Sequence, residues 1–225
     1  MGLIHSCKTL AKLHSAKKSF NERKERCFLN YLFWETTLRC NLTCRHCGSR
    51  CGPNDPCKDE LTTKEAKDVF SQIAQSFNAR DITVAVTGGE PLLRKDLFSV
   101  MSHVRDLGFW WGLVTNGTLV TKKVAQKLKK AGMATVSISI DGDAEAHAFL
   151  RGSKESFEKG LNSVSILREA NFLDRVQVTT VVHQKNVHLL EKMYDIFHKR
   201  GCQEWRLLMA DPIGRMTDPE NRDFI

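Results

Sequence analysis

Hydrophobic positions along the chain switch between two periods, and the switching is regular. Residues 31–37 (YLFWETT) are rich in aromatic and β-branched side chains and read as a strand leading into a cysteine-rich loop. At Thr62 the period changes. Thr62 with Glu65 three residues on has the form of a capping box, and Ala66, Val69, Phe70, Ile73 and Phe77 follow at helical spacing. Residues 82–86 form the next apolar strand, and Leu97, Val100, Met101, Val104 and Leu107 the next helix, closed by Gly108 where a helix end favours glycine. The unit recurs as strand 110–115 with helix 121–131, strand 135–140 with helix 153–171, and strand 175–182 with helix 187–200. A sixth strand follows at 204–209.

Six strands alternating with helices predict parallel βαβ units with right-handed crossovers, an α/β fold. Such a sheet can stay open and doubly wound, or curl into a full or partial barrel. In either case the loops at the C-terminal ends of the strands form the active face. After the sixth strand, DPIGRMTDPENRDFI holds no convincing helix to cover it, which we read as a missing C-terminal portion.

Composition adds limits rather than a function. The 225 residues suffice for one large α/β domain, and 41% hydrophobic with 27% charged residues is ordinary globular usage, not that of a disordered or collagenous chain. A net charge of +8 would suggest a nucleic-acid partner if it were spread over the chain. Most of it lies in residues 1–30, where seven lysines and arginines face only Glu22 and Glu25. That segment's aromatics are Phe20 and Phe28, without the interleaving that base stacking needs, so a solvated basic arm is expected and no nucleic acid. No apolar run is long enough to span a bilayer, and the first residues lack an apolar segment followed by a cleavage site; neither a membrane nor export is expected. Eight cysteines in such a chain point to reduced thiols that bind metal or do redox chemistry in the cytoplasm. The expected organisation is an arm at 1–30, a core at 31–215 and a tail at 216–225.

The candidate chemistry sits at strand ends. Cys40, Cys44 and Cys47 lie within eight residues (CNLTCRHC), so three thiolates can surround one side of a metal centre. Soft thiolates select zinc or an iron–sulfur cluster. Zinc would draw a fourth ligand from Cys51, Cys57 or His46, whereas a four-iron cluster on three thiolates leaves one iron open; spacing alone leaves both possible. At the end of the second strand, Thr87-Gly88-Gly89-Glu90-Pro91 lets backbone approach a ligand closely and offers carbonyl acceptors suited to an amine. Thr115-Asn116-Gly117-Thr118 ends the third strand with groups that can bond hydroxyls, though an ordinary Asn-Gly turn has the same sequence. In Ser137-Ile138-Ser139-Ile140-Asp141-Gly142 the serines alternate and so share one face.

Taken in order on successive strands, the cysteine triad, GGEP, TNG and SISIDG resemble the radical S-adenosylmethionine superfamily over residues 31–215. The resemblance implies a partial (β/α)6 barrel of the TIM type. It implies a [4Fe–4S] cluster on Cys40, Cys44 and Cys47, whose open iron chelates S-adenosylmethionine. It further implies that Gly88, Gly89 and Glu90 meet the methionine amine, that Thr115, Asn116, Ser139 and Asp141 lie near the ribose, and that His46 lies near adenine. Arg151-Gly152 and Pro212-Ile213-Gly214-Arg215 resemble the subgroup with a C-terminal SPASM or related domain, where Arg151 matches a position that pairs with the methionine carboxylate. That subgroup's cysteine-rich domain is not found here.

The expectation is therefore an enzyme that reductively cleaves S-adenosylmethionine to a 5′-deoxyadenosyl radical and takes hydrogen from a peptide, protein or cofactor precursor. A low-potential donor of the flavodoxin or ferredoxin type would supply the electron. The competing readings are a truncated fragment that binds the cluster without productive chemistry, and a structural zinc protein. Cys51 and Cys57 read as loop thiols or, rarely, extra ligands, and Cys202 as a buried apolar filler. Cys7 and Cys27 carry no assigned role, and the substrate is beyond reach.

Overall fold

The structure, a computed structural model, describes residues 12–18, 20 and 28–224. Contacts divide the chain into 1–30 and 31–225. Within the first unit residues 12–18 are helical and exposed. Expectations that concern residues 1–11, 19 and 21–27, including Cys7, Cys27 and most of the basic arm, lie outside the described residues.

In the second unit β1 (Tyr31–Glu35), β2 (Thr83–Thr87), β3 (Trp110–Thr115), β4 (Thr135–Ser139), β5 (Arg175–Val182) and β6 (Glu204–Met209) form one sheet, in sequence order and parallel throughout. The helices between them are α1 (Thr63–Ser76), α2 (Leu97–Asp106), α3 (Lys122–Lys130), α4 (Ala144–Arg151), α5 (Ser156–Glu169) and α6 (Leu190–Lys199). Among the described residues β1 and β6 do not pair, so the sheet is unclosed: a partial TIM-like barrel, as expected.

Strand alternation assigns the two faces. Val84, Val86, Leu113, Val136, Ile138, Val176 and Val178 are almost wholly buried and share the face toward Phe70, Leu97, Met101, Leu128, Leu167 and Met193. Each such side chain contributes about 1.5–3 kcal/mol of burial, so this layer dominates the fold's stability. The opposite face is polar at its top, where the Ser137 and Thr179 hydroxyls lie 2.5 Å apart across β4 and β5. Its register runs Phe33, Ala85, Gly112, Thr135 across the first four strands.

Local signals act where the pattern placed them. Thr62 caps α1 with both halves of the capping box formed. Gly108 follows α2 with φ +96, a conformation that glycine alone adopts freely. Two elements differ from expectation. Helix α4 occupies what reads as loop, because Asp143 accepts from the Ala146 amide at 3.2 Å to start it and Gly152 ends it at φ +71, with only two turns between. Cys202 is half-buried, its thiol 3.0 Å from the Glu204 carbonyl, so it does not simply fill apolar space.

Candidate metal centre

All three cysteines of the triad line one cavity of about 300 Å³ at the C-terminal ends of the strands, together with Gly88, Gly89, Thr115, Asn116, Ser139, Arg151 and His46. The loop that carries the thiols is pinned on all sides. The Cys40 amide donates to Gly52 O (3.1 Å), closing a parallel bridge between Arg39 and Gly52, and the Arg45 amide donates to Leu150 O at the end of α4 (2.8 Å). Among the described residues no three His, Cys, Asp or Glu side chains gather closely enough for a single metal ion. Thiolates that each bind a different iron of one cluster need not meet at a point.

The Gly-Gly turn fits against this loop at contact distance. A Cβ on Gly88, whose φ is +130, would lie 2.5 Å from Thr37 O, and one on Gly89 would lie 2.2 Å from Arg39 O. The Gly89 and Glu90 amides are committed to Thr37 O and Arg39 O, at 2.7 and 2.8 Å. What the turn can offer a ligand is therefore carbonyl oxygen, the acceptor an ammonium needs. Glu90 itself is buried behind the cavity, where its carboxylate accepts from Thr115 Oγ1 (2.8 Å), the Asn116 amide (2.9 Å) and the Leu92 amide (3.2 Å). Burial raises its pKa, and these donors oppose the rise.

Asn116 is committed as well. Its amide nitrogen reaches Asn41 Oδ1 at 2.9 Å, and its oxygen accepts from Thr118 N and Oγ1. Ser139, the last residue of β4, faces the cavity.

Asp141 also stands behind the cavity, wholly buried, and orients Arg151. Arg151 Nε donates to Asp141 Oδ2 at 2.6 Å, while Nη1 lies 3.8 Å from the Cys44 sulfur. Burial is the largest influence and works against the Asp141 charge, but Arg151 together with His46, His147 and the Val181 amide outweighs it and lowers the carboxyl to about 2. His46 Nε2 lies 3.7 Å from the same carboxylate; burial lowers its pKa to about 4 and keeps the ring neutral near pH 7. Its Nδ1 is buried without a hydrogen-bond partner. The arrangement collects soft ligands, carbonyl acceptors and two fixed guanidinium groups, those of Arg151 and Arg215, around a single space.

The sequence model of the Radical SAM superfamily matches residues 34–197. An AdoMet-dependent heme synthase of Methanosarcina barkeri is 36% identical over 183 residues, covering 81% of this chain and 51% of that protein. Mycofactocin maturase MftC of Mycolicibacterium smegmatis is 32% identical over 188 residues, covering 83% and 46%. The chain belongs to the radical SAM superfamily. Its fold agrees with that of Streptococcus suis SuiB bound to S-adenosylmethionine, with a TM-score of 0.71 at 15% identity over 96% of this chain and 48% of that one. The chain thus spans about half the length of the relatives it matches.

Radical SAM proteins hold a [4Fe–4S] cluster and S-adenosylmethionine, and the donors present suit both. Three cavity-lining thiols are the ligands such a cluster takes, and His46 Nδ1, buried without a partner among the described residues, leaves polar capacity for a second ligand. Burial pushes Cys40 up to about 11 and raises Cys44 too, so without metal these two are neutral thiols. A hydrogen bond with Cys51 lowers Cys47 to about 5, the thiolate form that binds metal.

Cys51, expected only as a loop thiol or an extra ligand, Glu35, which was not singled out, and Arg215, which was given no role of its own, also line the cavity. Cys51 is buried in a group with Cys40, Leu42, Cys44 and Cys47. Glu35 on β1 accepts from Ser49 Oγ at 3.1 Å. Arg215 comes from beyond β6. The Pro212–Arg215 resemblance was the one signal pointing at Arg215. Nothing in the spacing separated Cys51, which the structure puts beside the triad, from Cys57, which it puts beside Thr37 and Asp55.

Proposed function

We propose that this protein, with residues 31–215 as its core, is a radical SAM enzyme acting on a peptide, protein or cofactor precursor. The observation that carries the reading is the convergence of Cys40, Cys44 and Cys47 with the Gly88-Gly89 turn and Arg151 on one cavity. Bound there, the cluster and S-adenosylmethionine supply a one-electron reductive cleavage that yields methionine and a 5′-deoxyadenosyl radical, which takes a hydrogen atom from substrate. Cys40, Cys44 and Cys47 would hold the cluster. The Gly88 and Gly89 carbonyls would accept from the methionine ammonium, and Arg151, held by Asp141, would meet its carboxylate.

Glu90 acts through others, fixing Thr115 and the Asn116 backbone, while Ser139 and His46 offer polar contacts to the nucleoside. The relatives' names, a heme synthase and a maturase, favour a cofactor or peptide precursor. A low-potential flavodoxin or ferredoxin would be the electron source. A cluster of this kind and reduced thiols require a reducing setting such as the cytoplasm; no helix among the described residues is long and apolar enough to cross a membrane.

Anaerobic reconstitution, reduction and mass-spectrometric measurement of 5′-deoxyadenosine test the reading. Cys40→Ala, Cys44→Ala and Cys47→Ala should each abolish the product, because two thiolates do not hold the cluster in register. Product at wild-type level from any one of them would sink the assignment. An intact cluster that yields no 5′-deoxyadenosine on reduction would count against productive chemistry by this chain.

A further inference from the structure

The segment after β6 returns across the cysteine loop and grips it through the backbone. Gly214 has φ +57, and a Cβ there would come within 2.3 Å of Cys47 O and 2.2 Å of Gly48 O, so the two chains touch directly. The next residue uses three donors on one loop. The Arg215 amide donates to Cys47 O (3.0 Å), Nε to Cys44 O (2.7 Å) and Nη2 to Cys51 O (2.7 Å). Arg215 is itself held from behind, where Asn221 Nδ2 donates to its carbonyl at 2.7 Å and Asn221 Oδ1 accepts from Arg45 at 3.3 Å. A surface pair closes the other side, with Arg50 Nη2 2.6 Å from Asp218 Oδ1 and 2.9 Å from Gly214 O.

Among the described residues no helix or strand bonds the Cys44, Cys47 and Cys51 carbonyls; within the loop Cys44 O accepts from the Cys47 amide at 3.2 Å and Cys47 O from the Arg50 amide at 3.4 Å, long turn bonds that leave a second lone pair on each carbonyl. A guanidinium is suited to bonding such carbonyls because its rigid fork reaches two acceptors at a fixed separation, which an ammonium on a flexible stem does not. The backbone at one ligand cysteine, Cys44, is thereby tied to that at Cys51 by a side chain more than 160 positions away in the chain, while the amide of the same residue holds a second ligand cysteine, Cys47.

We propose that Arg215 is a positioning residue for the cluster, and that residues 214–221 form a clasp that fixes the cysteine loop and sets how firmly the cluster is retained. The proposal rests on the cluster reading above and goes beyond it, since the hydrogen bonds of Arg215 run to backbone carbonyls of the loop and not to the thiols. Removing a group that orients metal ligands typically costs 10–100-fold in metal affinity.

The test uses the full chain, reconstituted anaerobically, as wild type, Arg215→Gln, Arg215→Lys and Asn221→Ala. Iron and sulfide content, the rate of iron loss to a chelator and the electron paramagnetic resonance signal of the reduced cluster are compared. Arg215→Gln should lose iron at least about tenfold faster and show a broadened or shifted signal. Arg215→Lys should not rescue it, because lysine keeps the charge but not the fork. Asn221→Ala, which loosens the clasp from behind, should lose iron a few-fold faster, and it keeps the test decisive if Arg215→Gln does not fold. Wild-type retention and signal in Arg215→Gln, or full rescue by lysine, would overturn the proposal, as would wild-type retention in Asn221→Ala where Arg215→Gln cannot be obtained. A wild-type chain that takes up no iron and sulfide would instead sink the cluster reading itself.

Discussion

Asp141 is the residue on which the upper rim of the barrel turns. Itself without solvent contact, it accepts from the Val181 amide at 2.8 Å, holds Arg151 at 2.6 Å and faces His46 at 3.7 Å. Asp141→Asn would leave the Arg151 guanidinium buried without its counter-charge, and breaking a buried pair from one side costs about 3–5 kcal/mol. Chemical denaturation of the metal-free chain should show a loss of that size, and S-adenosylmethionine affinity of the reconstituted protein should fall with it. An unchanged midpoint would mean that Arg151 finds another partner. Motif order pointed to Asp141 and Glu90, but not to their direction. Both carboxylates stand behind the cavity, Glu90 under Thr115 and Asp141 under Arg151, because a strand end and the turn after it no longer obey the alternation that tells inward from outward.

Among the elements, the strands and long helices were legible because each buries a face at a fixed period. The strands at 110–115, 175–182 and 204–209 fall on the expected residues. Helix α4 is two turns long, too short for its apolar residues to establish a period, yet it carries both His147 and Arg151. The clasp is equally hidden, since a contact between residues 44 and 215 leaves no periodic trace. Two changes separate an element's stability from its chemistry. Thr62→Ala should cost about 1 kcal/mol through loss of the capping box and leave 5′-deoxyadenosine formation unchanged. Gly89→Ala should do more, because its Cβ would meet Arg39 O at 2.2 Å and force the turn away from the cysteine loop. Overpacking of this kind costs about 1–3 kcal/mol, and the displaced carbonyls should raise the KM for S-adenosylmethionine above its wild-type value; a wild-type KM would exclude the turn from that contact.

At the scale of the whole molecule, the open sheet places its buried ionisable groups at one end, and this makes stability depend on pH in a defined order. His147 is buried under Phe157, with Nδ1 accepting from the Asp141 amide at 3.1 Å. Burial lowers its pKa to about 4, with Arg151 and His46 adding to the effect and Asp141 opposing it. The unfolded chain therefore takes up this proton first as pH falls, near the ordinary histidine value of about 6.5. The contribution to stability is complete above that value and is lost between about 6.5 and 4, by about 1.4 kcal/mol per pH unit and about 3 kcal/mol in all. Asp141 has the opposite charge but the same sign of effect. Its pKa of about 2 lies below the ordinary carboxyl value, so its contribution is present above about 3.8 and is lost only as pH falls from there toward 2. Acid destabilisation should accordingly begin at the buried histidines, His46 as well as His147, and only later reach the carboxylate. Urea denaturation of the metal-free chain between pH 7.5 and 4.5 checks this order against His147→Asn, whose amide oxygen still accepts from Asp141 but takes up no proton. The variant should begin less stable and lose less with falling pH, so that the two curves converge; parallel curves would remove His147 from the account.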